Sequence, residues 1–214
     1  MKRATILFDL DGTLIDSTEA ILDGFAYAFA KFGKSPPPKE RILALVGHPL
    51  DFMFAHLGIA QNVASYVDAY KERYRVISKE KTILLPNARE AIAQAASFAS
   101  LGVVTTKTGL YSRELLEHMG VMHHFGVLIG REDVIHPKPH SEPILKAMHR
   151  LLAHKEHTYM IGDTCLDMEA AHAASIEGVA VSCGYQSPKE LARCAHHLKN
   201  DALEAVLFIK RRYQ

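Results

Sequence analysis

Apolar positions recur along this chain with two different periods. Ala4-Thr5-Ile6-Leu7-Phe8 is a short apolar run, the pattern of a strand buried on both faces. Beyond it, Ile21, Leu22, Phe25, Phe29 and Phe32 fall on one helical face, and Gly33 is placed to end that helix. Pro36-Pro37-Pro38 is a stiff break, a short helix is predicted over 39–46, and Gly47-His48-Pro49 turns the chain. Val63, Tyr66, Val67, Tyr70, Tyr74 and Ile77 then repeat at helical spacing. Residues 16–83 therefore read as a small all-helical bundle, with Tyr66, Tyr70 and Tyr74 as its packing.

From Pro86 onward helices and apolar strands alternate. Helices are predicted over 87–97, 112–119, 142–152 and 167–174, with strands over 101–105, 127–129, 159–161 and 179–181. A last helix starts near Asp201, where Asp201-x-x-Glu204 forms a capping pair. Such alternation implies an α/β fold: a parallel sheet with helices on both faces. The expected organisation is a core of residues 1–15 and 84–214, with 16–83 inserted as a helical cap. The linkers would lie near Asp16-Ser17 and Leu84-Pro86.

With 214 residues and 48% hydrophobic content, the chain can fill one large domain or a domain with an insert. It has no apolar stretch of membrane-spanning length, and its N-terminal run is too short for a secretory signal, so a cytoplasmic home is expected. Net charge is +1, and Lys210-Arg211-Arg212 reads as a helix C-terminus rather than a nucleic-acid patch. Cys165, Cys183 and Cys194 are odd in number and lack zinc-type spacing. They read as reduced thiols, Cys165 as a small buried filler. The adjacent pairs His123-His124 and His196-His197 lack the spacing of a metal-binding helix face.

In parallel sheets ligands bind beyond the carboxyl ends of the strands, which directs attention to the strand exits. The first carries Asp9-Leu10-Asp11-Gly12-Thr13-Leu14, where alternation points Asp9 and Asp11 to the same side. Two acids held together repel unless a cation neutralises one or one keeps its proton. A calcium loop is excluded, because Thr13 and Ala20 stand where further ligands are needed. The second exit carries Thr105-Thr106-Lys107-Thr108-Gly109, with hydroxyls and N–H groups before a helix start. His136-Pro137-Lys138-Pro139-His140 holds a lysine between prolines, and Gly162-Asp163-Thr164-Cys165-Leu166-Asp167 is another glycine turn with two acids. Singly, these also read as strand threonines, a solvated lysine, a turn aspartate and a helix N-cap. Together, in this order, they describe a pocket of carboxylates suited to Mg²⁺, with a lysine and amides suited to phosphate.

With these motifs the chain resembles the haloacid dehalogenase-like hydrolase superfamily over nearly its whole length. The segment 9–14 matches the first motif, Thr105 the second, Lys138-Pro139 the third and 162–167 the fourth. The insert between motifs one and two resembles the subclass with a helical cap, and Val46-Gly47-His48-Pro49-Leu50 is similar to a cap segment of phosphoglycolate phosphatase-like members. Thr106 departs from the family, which often has Asn there. The resemblance implies a Rossmann-like core and a Mg²⁺-dependent phosphatase for a small phosphorylated metabolite, phosphoglycolate first among candidates. It implies Asp9 as nucleophile, Asp11 as acid and base, and Asp9, Asp11 and Asp163 around the metal. Thr105, Thr106 and Lys138 would hold phosphate, Asp167 would orient Lys138 or metal-bound water, and His48 and Arg41 would be cap residues facing substrate. Lys39 reads as a solvated position. Alternatives within the fold are a pyrophosphatase, a nucleotidase and a phosphomutase; outside it, a non-catalytic phosphate-binding module. A monomer or homodimer is expected.

Overall fold

The protein is described here from a computed structural model covering residues 4–213. In chain order its elements begin β1 (Ala4–Phe8), β2 (Ile15–Asp16), α1 (Thr18–Lys31), α2 (Lys39–Leu43), α3 (Leu50–His56), α4 (Val63–Ile77) and β3 (Ile83–Leu84). Then follow α5 (Ala88–Ala96), β4 (Ala99–Val104), α6 (Gly109–His118), β5 (Phe125–Ile129), α7 (Glu142–Leu151) and β6 (Thr158–Gly162). The chain ends with α8 (Cys165–Ala173), β7 (Glu177–Val181), α9 (Pro188–Leu191), β8 (Leu198–Lys199) and α10 (Ala202–Lys210).

Six strands form one parallel sheet in the order β5-β4-β1-β6-β7-β8. The most apolar run of the N-terminus, β1, lies in its interior and is buried throughout. Alternation divides its side chains between two cores. Ile6 and Phe8 join the cluster that holds Ile92 and Ala95 of α5 and Val206 and Ile209 of α10. Leu7 joins Met160, Ile144 and Met148 of α7, and Ala170 and Ala171 of α8. Burial on both faces explains why the strands read as unbroken apolar runs. The predicted α/β architecture, with helices on both faces, is the one observed. Asp201 caps α10 by accepting from the Glu204 N–H at 2.9 Å.

Between β2 and β3 the chain is helical, and those two short strands pair antiparallel, Ile15 with Leu84 and Asp16 with Ile83. α1 and α4 pack through aromatic rings, with Phe25 5.1 Å from Tyr70 and 4.6 Å from Phe54. Gly24 permits this approach, since a Cβ there would lie 2.6 Å from the Tyr70 ring. Phe32, expected on the buried face, is instead 40% exposed beyond the end of α1 and packs at a tilt against the Tyr66 ring. Asp23 of α1 takes both Nε and Nη2 of Arg73 on α4, at 2.7 and 3.0 Å, and Lys81 at 2.9 Å.

The cysteine expectation is corrected. Cys165 and Cys194 form a disulfide, with Cα atoms 5.7 Å apart, and Cys183 is free. Leu191 of α9 and Met168 of α8 pack together over Ala180 of β7, which carries Cys194 to the start of α8. Cys165 is only partly buried, so it is not a core filler. Among the described residues, no helix is long and apolar enough to cross a membrane.

Candidate active site

Because all six strands run in parallel, their carboxyl ends share one edge, and loops far apart in sequence meet there. Asp9 directly follows β1, and its N–H donates to Ile161 O at 2.9 Å, carrying the ladder one residue past the strand. Gly12 has φ +81°, a left-handed turn that a side chain would strain, and a Cβ there would also collide with Asp163. The Gly12 turn thus brings the loop after β1 against the loop after β6.

Asp9, Asp163 and Asp167 are all buried and each offers a carboxylate oxygen within 4.8 Å of the others. Lys138 lies between two of them, its ammonium 2.8 Å from Asp9 Oδ1 and 2.5 Å from Asp167 Oδ1, and it donates to Val104 O at 3.1 Å. Asp167 is also the third residue of α8, where its other oxygen accepts from the Thr164 N–H at 3.1 Å and hydroxyl at 2.7 Å. Its position is therefore fixed from both sides. Asp163 accepts from Thr13 Oγ1 at 3.1 Å and from the Tyr185 N–H at 2.8 Å.

The electrostatics follow from burial. Burial, with smaller contributions from Asp167 and Asp11, pushes Asp9 up to about 7 despite the lowering effect of Lys138. Burial and the charges of Asp9 and Asp167 hold Asp163 well above the usual carboxylate range. Burial opposes the Lys138 ammonium, but Asp167 and Asp9 outweigh it and raise its pKa. Three buried carboxylates thus face one ammonium, a donor set of hard oxygens that fits a divalent cation.

Asp11 lies beside this cluster at the floor of a cavity of about 260 Å³ under the helical segment. It accepts from Ser17 Oγ and is 3.1 Å from the Lys107 ammonium. Thr105 is buried at the end of β4, and its hydroxyl accepts from the Lys107 N–H at 3.2 Å. Thr106 also lines the cavity, and its hydroxyl donates to Gly47 O at 2.8 Å, joining the loop after β4 to the helical segment. His48 lines the cavity and stacks on Phe52, and burial and His56 lower its pKa. Arg41 is exposed and outside the cavity lining. Lys107, Ser17, Thr13 and Tyr185 received no role from the sequence. The available signal was Lys107's place directly after Thr105-Thr106; the others depend on how loops pack.

Acids and a lysine from separate strand exits, gathered at one edge of a doubly wound parallel sheet, define a metal-compatible enzyme of the α/β class. Residues 6–181 match the family described as haloacid dehalogenase-like hydrolase, and the chain belongs to that family. It is 32% identical over 183 residues to the pyrophosphatase PpaX of Oceanobacillus iheyensis, covering 85% of each chain. It is 27% identical over 212 residues to the phosphoglycolate phosphatase of Salmonella typhimurium, covering 87% of this chain and 84% of that one. A solved haloacid dehalogenase-like hydrolase from Streptococcus pneumoniae superposes with a TM-score of 0.87 at 26% identity, over 96% of this chain and 97% of that one.

Proposed function

We propose that this chain is a Mg²⁺-dependent phosphatase that cleaves a small phosphorylated metabolite through an aspartyl-phosphate on Asp9. One observation carries the reading: Lys138 serves Asp9 and Asp167, while Asp163 in the same buried cluster has hydrogen bonds but no cation among the described residues. In this proposal Asp9, Asp163 and the main-chain carbonyl of Asp11 hold Mg²⁺. When bound, the ion supplies the positive charge that lets an anionic nucleophile meet an anionic phosphate.

The chain's own groups then divide the work. An Asp9 oxygen bonds to phosphorus as the ester P–O bond breaks, and Asp11 gives its proton to the leaving oxygen. Water next attacks the aspartyl-phosphate, Asp11 takes a proton from that water, and the P–O bond to Asp9 breaks. Lys138 and Thr105 hold equatorial oxygens; Asp167 keeps Lys138 in place. Thr106 is left out of this set because its hydroxyl is engaged with Gly47. The helical segment 16–83 acts as a cap that sets specificity and sheds water. The relatives named phosphoglycolate phosphatase favour a phosphoglycolate-sized substrate, and the one named pyrophosphatase favours pyrophosphate as a second reading. A reaction on such metabolites would run in the cytoplasm, and a monomer or homodimer would serve it.

Phosphate release from a panel of small esters, with and without Mg²⁺, tests the reading. Turnover is expected only with the metal, and Asp9→Asn is expected to lower it by about 10⁴-fold or more. Retained hydrolysis in a folded Asp9→Asn protein would refute the nucleophile.

A further inference from the structure

The mechanism above leaves Lys107 unused, although a lysine with a side chain only 11% exposed is costly unless it has work. Its ammonium is 3.1 Å from Asp11 Oδ2 and 4.4 Å from the centroid of the Tyr74 ring. Burial opposes its charge, while Asp11 and the tyrosines Tyr74 and Tyr70 favour it, Tyr74 also as a hydrogen-bonding neighbour. An ammonium has three N–H donors, and Asp11 is its one acidic partner among the described residues. Asp11 itself is shared with the Ser17 hydroxyl. Donor capacity at Lys107 therefore exceeds what the protein supplies.

A second group lies beside it. Tyr74 is 1% exposed and lines the same cavity, and its buried hydroxyl has Lys107 as a neighbour but no hydrogen bond of ordinary geometry. Buried hydroxyls in folded proteins are nearly always well paired, so one so loosely held beside a cavity is open to a ligand oxygen. The cavity walls carry Lys71, Lys107 and Arg131 against Asp11 and Asp51, an excess of positive charge. Phe25, Tyr70 and Tyr111 complete much of the rest, and apolar walls strengthen any ion pair formed among them. At about 260 Å³ the space equals roughly nine waters, enough for a small leaving group.

Position says which part of the substrate comes here. Asp11 borders both the carboxylate cluster and this cavity. A leaving oxygen protonated by Asp11 must carry the rest of its molecule into the cavity, toward Lys107.

We infer that Lys107, helped by the Tyr74 hydroxyl, binds a second oxyanion on the leaving group, so that the enzyme selects phosphate compounds with two anionic ends. This rests on the phosphatase reading above. The shared chemistry is a compact oxyanion near the scissile oxygen, either a carboxylate or a second phosphate. Substrates whose leaving group is neutral would lack the contact.

The test compares kcat/KM for 2-phosphoglycolate, pyrophosphate and ethyl phosphate in the wild type, Lys107→Met and Tyr74→Phe. The wild type is expected to favour one of the two anionic compounds over ethyl phosphate, and which one it favours identifies the oxyanion. Lys107→Met is expected to lower that preference ratio by about 10- to 100-fold, the range of one charge-assisted hydrogen bond. Tyr74→Phe keeps the ring and the packing and should lower the ratio by a smaller factor, about 3- to 10-fold. Because each result is a ratio within one protein, loss of folded enzyme divides out, and a change in Asp11 also divides out between 2-phosphoglycolate and ethyl phosphate, which both expel an alkoxide. An unchanged ratio in both variants would overturn the inference. So would a wild type that hydrolyses ethyl phosphate as well as either anionic compound, and the phosphatase reading would then still stand. Hydrolysis of none of the three would remove that reading itself.

Discussion

Burial raises the Asp9 carboxyl to about 7, against an ordinary value near 4, and this has a consequence for stability. Between those values the native chain keeps a proton that the unfolded chain has lost. Stability of the metal-free protein is therefore expected to fall as pH rises from about 4 to about 7. A bound divalent cation favours the ionised form and should reverse the loss, by about 2.7 kcal/mol at a hundredfold excess over its Kd. Thermal melts at pH 5 and pH 8, with chelator and with Mg²⁺, check this: chelated protein should melt lower at pH 8, and Mg²⁺ should help more there. Asp9→Asn should weaken the dependence and leave the part due to Asp163; a wild type with no such dependence would contradict the charge assignment. At this scale Asp9, Asp11, Lys138 and Asp163 were legible because strand ends and glycine turns mark them. Lys107 and Tyr74 were visible as residues but not as a pair. Their meaning comes from α4 lying over the loop after β4, which no local pattern encodes. The Cys165–Cys194 bond was illegible for the same reason, since packing across β7, and not spacing, joins the two.

Helices with a regular apolar face and strands of five or six residues could be read from period alone. β2, β3 and β8 could not, because two residues carry no period, and α9, at four residues, is equally mute. α3 was hidden in the general helical character of 16–83. What holds α1 to α4 is partly aromatic packing and partly Asp23, which takes Arg73 and Lys81 together. The Arg73 hydrogen bond leads the causes that lower the Asp23 pKa. Its contribution is thus present above the unfolded value near 4 and disappears as pH falls through the lower folded value. These groups are largely solvated, so the network contributes only modestly. Asp23→Asn should lower urea stability slightly at pH 7, and the gap to wild type should close as pH falls below the carboxylate range. A gap that persists at low pH would assign the effect to packing instead.

The sheet and the helical segment meet through few polar contacts, and that governs how the molecule would work as a whole. Thr106 donates to Gly47 O at 2.8 Å, Thr18 Oγ1 lies 3.3 Å from the Tyr185 hydroxyl, Ser17 donates to Asp11, and Lys79 lies 3.3 Å from Glu114. The two chain crossings between the layers run side by side where β2 and β3 pair. The alternation of helices and strands made the two layers readable in advance; the contacts between them were not, since Thr106 reads equally well as a phosphate ligand. Its hydroxyl holds the helical segment against the loop that carries Thr105 and Lys107, so in the proposed cap mechanism it would favour the closed arrangement over Asp11. A single hydrogen bond contributes about 0.5–1.5 kcal/mol, which shifts a closed-to-open equilibrium by about 2- to 10-fold. Thr106→Val keeps the shape and removes the donor. It should lower kcat/KM by that factor for every substrate alike, because closure precedes chemistry whatever the leaving group. A direct phosphate contact predicts a larger loss. Measuring kcat/KM for two substrates of different leaving group separates these cases: a uniform loss under tenfold supports closure, and a hundredfold loss returns Thr106 to the phosphate site.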